Sequence, residues 1–79
     1  MAAKPSDDDL AEAVLSGFKH FKVRAGHVLM PQNLSAFLMP KGYTPDEIGT
    51  GVQHGASKGW FENGPNGTII LTEAGYEAM

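Results

Sequence analysis

Apolar residues recur at helical spacing in three stretches of this 79-residue chain and gather into short runs in two others. In the first stretch Leu10, Ala13, Val14, Gly17, Phe18 and Phe21 fall on one stripe, which predicts an amphipathic helix with Phe18 and Phe21 in the core. Ser6 precedes it, with Asp7, Asp8 and Asp9 behind. A serine there caps the unpaired amides of the first turn, and the carboxylates sit at the positive end of the helix dipole. Lys19, His20, Lys22 and Arg24 lie at or past the other end, where cations favour the dipole, and the helix is expected to stop before Gly26. His27–Met30 is a brief apolar run of strand length. Pro31 suits a first helical turn, and Leu34, Phe37 and Leu38 give a short second helix one apolar face. Met39 stands before Pro40, which disfavours helix, and Gly42 supplies a turn.

The third helix opens on the strongest local signal in the chain. Thr44, Pro45, Asp46 and Glu47 form a capping box with proline at the first helical position. Ile48, Val52 and Ala56 share one side, and Gly51, Gly55 and Gly59, four apart, lie along it. An interior glycine costs about 1 kcal/mol relative to alanine, so the three predict close approach of another helix to this backbone. Trp60 and Phe61 then begin a strand, Asn63 to Gly67 is dense in turn residues, and Thr68–Leu71 forms the return strand of a hairpin. Trp60 reads as a core residue. Thr72 caps a short terminal helix. Residues 1–5 read as a loose arm and 6–79 as a single domain.

Composition narrows the function. The chain has no cysteine, which excludes disulfides and thiolate metal sites, and no apolar run approaches the ~20 residues of a bilayer span. The start lacks the basic and apolar blocks of a secretion signal, so a cytoplasmic location is expected. Net charge is −3, unevenly placed: residues 1–12 carry −3, residues 13–45 carry +4, and residues 46–79 carry −4. Catalytic signatures are missing. Gly49–Gly55 departs from the dinucleotide fingerprint, with its third glycine one residue late and the glycines inside a helix. His20, His27 and His54 lack the spacing of a zinc site, and no serine has an activating neighbour in sequence. Neither enzyme activity nor a cofactor is expected.

The order of elements, with the segment KGWFENGPNGTIILTEAGYEAM (residues 58–79), resembles a winged helix-turn-helix domain of the small bacterial and archaeal regulator kind. The third helix ends in Lys-Gly-aromatic, a glycine-rich hairpin follows, and Leu-Thr-Glu-Ala-Gly leads out of the return strand. The resemblance covers roughly residues 7–79. It implies an α+β, mainly helical fold of three helices with a small antiparallel β-wing. It also implies that the third helix, about residues 45–59, enters the DNA major groove with the wing beside it. Carried onto this chain, the groove-facing positions are Asp46, Thr50, Gln53, His54 and Ser57, with Lys58 towards the edge. Gln53 is suited to adenine, Thr50 and Ser57 to base or phosphate, and Lys58 and Lys41 to phosphates.

The net charge, the neutral wing and the sparse cations motivate a second reading, a winged-helix protein-interaction module without DNA binding. In it the acidic ends or the basic central stretch dock to a partner. Three departures weaken the first reading. Asp46 and Glu47 sit at the N-terminal end of the reading helix. The tip Asn63–Gly67 has no cation, and the long terminal helix by which many such regulators dimerise is not expected. The partner is therefore expected to be duplex DNA or, alternatively, a protein, and not a membrane.

Overall fold

Ser6 opens the first helix, α1 (Asp7–His20), of a computed structural model that describes residues 5–79. Apart from Pro5, the expected N-terminal arm lies outside the described residues. The Ser6 hydroxyl accepts from the Asp9 amide at 3.1 Å while the Asp9 carboxylate accepts from the Ser6 amide at 3.3 Å, a reciprocal box built with aspartate at the third position. Leu10, Ala11, Val14, Leu15, Gly17 and Phe18 are its buried residues. Phe21 is not among them: it is 41% exposed. The reason is that Phe21 is the cap residue, after which the chain reverses and leaves its ring at the rim, edge-on to Phe37.

That reversal is a Schellman turn. The Val23 amide donates to the Phe18 carbonyl at 3.0 Å and the Lys22 amide to the Lys19 carbonyl at 3.1 Å, while Phe18 and Val23 meet in the core. The chain then enters β1 (Val28–Leu29) and α2 (Pro31–Leu38), whose Leu34 and Leu38 are buried. A 3₁₀ turn over Met39–Lys41 and a left-handed Gly42 break the helix where Pro40 forbids its continuation.

In α3 (Pro45–Ser57) the Thr44 hydroxyl accepts from the Glu47 amide at 3.1 Å, and Glu47 returns the contact at 2.9 Å. The buried side of α3 runs through Ile48, Gly51 and Gly55, whereas Val52 is half-buried and Ala56 is exposed. The expected apolar stripe is thus displaced towards the glycines, because α1 lies directly against Gly51. A Cβ on Gly51 would stand 2.5 Å from the Leu10 carbonyl oxygen of α1. Gly55 instead accommodates the Phe61 ring, which stacks on Phe18 with centroids 5.0 Å apart. Gly59 is no part of a packing row: it lies beyond the helix at φ +83, a left-handed position that glycine occupies without strain.

β2 (Phe61–Asn63) and β3 (Ile69–Leu71) form an antiparallel hairpin with Phe61 opposite Leu71 and Asn63 opposite Ile69. β1 joins on the other side, Leu29 opposite Ile69, so β3 is the central strand of a three-stranded antiparallel sheet. α4 (Glu73–Ala78) follows, capped by Thr72. The molecule is mainly helical, with the small sheet closing one side of a core in which Val14, Phe18, Leu34, Leu38 and Leu71 are fully buried. Trp60 packs against this core half-buried, by its ring edge.

Candidate functional site

Burial of Ile48, Gly51 and Gly55 turns the opposite side of α3 to solvent, since residues three and four apart share a face. Asp46, Gly49, Thr50, Gln53, Ala56 and Ser57 are exposed there. Thr50, Gln53 and Ser57 therefore stand in one row, as their spacing predicts. The Ser57 hydroxyl already donates to the His54 carbonyl at 2.7 Å, which leaves its lone pairs as acceptors. Gln53 is the one long uncharged polar side chain of the row, and both ends of its amide are available for pairing.

The cations and histidine of the expected set lie elsewhere. His54 is turned towards α1, where its Nε2 lies 2.7 Å from Asp8 Oδ1, and Lys58 Nζ reaches the same oxygen at 2.7 Å. The Asp8 carboxyl is held below the usual aspartate value of 3.8, first by the hydrogen bond from Lys58 and then by that from His54. Lys58 also lies over the Trp60 ring, 4.8 Å from its centroid, and Lys41 lies over Phe37 at the same distance. Thus His54 and Lys58 flank the row on its α1 side, and Lys41 stands at the turn after α2. Asp8 is the residue that sequence reasoning missed. Its two neighbours in sequence served equally well as dipole carboxylates, and its partners are remote along the chain.

Beside the row, a groove of about 370 Å³ runs between the start of α2, the outer flank of α3 and the hairpin. Pro31, Ile48, Val52, Gln53, Asn63 and Thr68 line its walls, and no charged side chain does. The hairpin loop over Gly64–Thr68 borders it, shaped by a 3₁₀ turn with Asn66 at φ 57 and closed by the Gly64 amide on the Thr68 carbonyl at 2.8 Å.

Among the described residues no group of three or more metal-ligating side chains converges, and no helix is long and apolar enough to cross a membrane. The chain matches no protein-family model, no curated protein and no solved structure.

Proposed function

We propose that the chain is a winged helix-turn-helix domain that binds duplex DNA by occupancy, without chemistry. In this reading α2 and α3 form the helix-turn-helix, the Thr50–Gln53–Ser57 row of α3 meets the major groove, and the β2–β3 hairpin flanks it. The observation that carries the reading is that solvent-facing row on a helix whose other side is locked to α1, next to a hairpin. Gln53 pairs with an adenine edge, and Thr50 and Ser57 contact base or phosphate. With Lys58 held by Asp8 and Lys41 over Phe37, few cations neutralise phosphates. Binding is accordingly weak, with a shallow salt dependence. Fluorescence anisotropy of labelled random duplex DNA at low salt tests it: a saturable rise that salt reverses supports the reading, and a flat response at tens of micromolar protein rules it out. In the positive case Gln53→Ala weakens preferred sites selectively.

A second reading is favoured by the groove. An uncharged trough beside a face containing Gly49, Thr50 and Ala56 suits an uncharged polypeptide segment better than a phosphate chain. On this reading the same fold is a protein-interaction module, and a flat DNA titration is its expected result.

A further inference from the structure

At the C-terminal end of α1, opposite the end that carries Asp8, a concavity of about 480 Å³ is lined by Lys19, Lys22, Val23, Arg24, Tyr76 and Met79. Three of the six Lys and Arg residues of a chain with net charge −3 converge on it. None of the three is ion-paired among the described residues, where the salt bridges all belong to Asp8. No acidic side chain lines the concavity, although Glu73 and Glu77 belong to the same short helix as Tyr76. The negative end of the α1 dipole favours these cations, but among the described residues no carboxylate pairs with any of them.

Lys22 adds an independent indication. It occupies the left-handed position of the Schellman turn, at φ 56, where the fold itself calls for glycine. Its amide closes the turn, but its side chain is exposed and takes no part in the core. A lysine there opposes local backbone preference while placing a third cation at the hollow.

We propose that this concavity is a binding site for a small, multiply charged anion bearing phosphate groups. Arg24 supplies a planar fork for two phosphate oxygens, Lys19 and Lys22 supply point charges, and the Tyr76 hydroxyl supplies a neutral donor. Tyr76 is 47% exposed. The hollow is open to solvent, so its affinity is modest and falls with ionic strength. No residue of α2, α3 or the hairpin lines it, so the site is separate from the proposed DNA face, and each can fail without the other.

The test is an amide-resolved NMR titration of the whole protein with inorganic pyrophosphate at constant ionic strength. Saturable shifts confined to residues 19–24 and 76–79 are expected. Lys22→Gly should weaken binding about tenfold, the effect of losing one charge-assisted contact, while raising the melting temperature. Arg24→Lys should weaken it by less. Flotation with phosphatidylcholine vesicles containing phosphatidic acid distinguishes the source of the phosphate. Binding that Lys22→Gly abolishes assigns a lipid headgroup, whereas pyrophosphate binding without flotation assigns a soluble ligand. The proposal is overturned if no saturable shift appears by about 10 mM pyrophosphate, if the shifts map to α3 or the hairpin, or if Lys22→Gly binds as well as the parent.

Discussion

At the scale of single residues, Asp8 exerts the most leverage, since one carboxylate oxygen holds both His54 and Lys58. Its folded pKa is depressed, so its contribution to stability is complete above the unfolded value of 3.8 and is lost as pH falls through the lower folded value. Carbon-detected NMR of the carboxyl should show a midpoint below 3.8. Lys58→Met should bring it back up, because Lys58 is the leading cause of the shift. An unmoved midpoint would show that the contact is not kept in solution. Asp8→Asn should also strengthen non-specific DNA binding, if the DNA reading holds, since it frees a lysine and removes a negative charge from the same edge of α3. Anisotropy on the variant checks this, and a weaker complex would place the DNA elsewhere. Lys22 sits at the opposite extreme. Replacing it by glycine relieves a left-handed backbone and should stabilise the fold by about 0.5–1 kcal/mol in denaturant melts, less the entropy glycine adds to the unfolded chain.

At the scale of elements, α3 shows how far local pattern carries and where it stops. The Thr44 box, the Ser6 cap, the Pro31 start and the glycine-rich hairpin turn were all readable, because each is decided within four or five residues of chain. The inward side of α3 was displaced by one row. Its closest backbone approach to α1 is made at Gly51, a residue without a side chain, which a hydrophobic pattern cannot weigh. Thr50, Gln53 and Ser57 survived that displacement because they lie opposite both candidate stripes. His54 and Lys58 did not remain simple surface residues, since the group that holds them lies 46 positions from His54. Two glycines of one helix should accordingly respond in opposite senses. Gly49→Ala faces open space and should stabilise by about 0.5–1 kcal/mol through helix propensity. Gly51→Ala drives a methyl into the α1 backbone and should cost about 1–3 kcal/mol net. Thermal melts of both variants decide the point: if Gly51→Ala also stabilises, the helices are not in contact there.

At the scale of the whole molecule, α1 is the axis along which charge is sorted. Its 14 residues, about 21 Å long, carry Asp7, Asp8 and Asp9 in the first turn and end among Lys19, Lys22 and Arg24. α3 packs along its length, and α4 stands at its cationic end. The macroscopic consequence is an electric moment built into a rigid body. At 0.15 M salt, where fields fade within about 8 Å, neighbouring molecules sense little of it. At 0.01 M that reach extends to about 30 Å, longer than the helix itself. In dilute solution this moment should then act against the mutual repulsion of the net −3 charge, so light scattering should show weaker repulsion than that charge alone predicts, a difference that added salt removes.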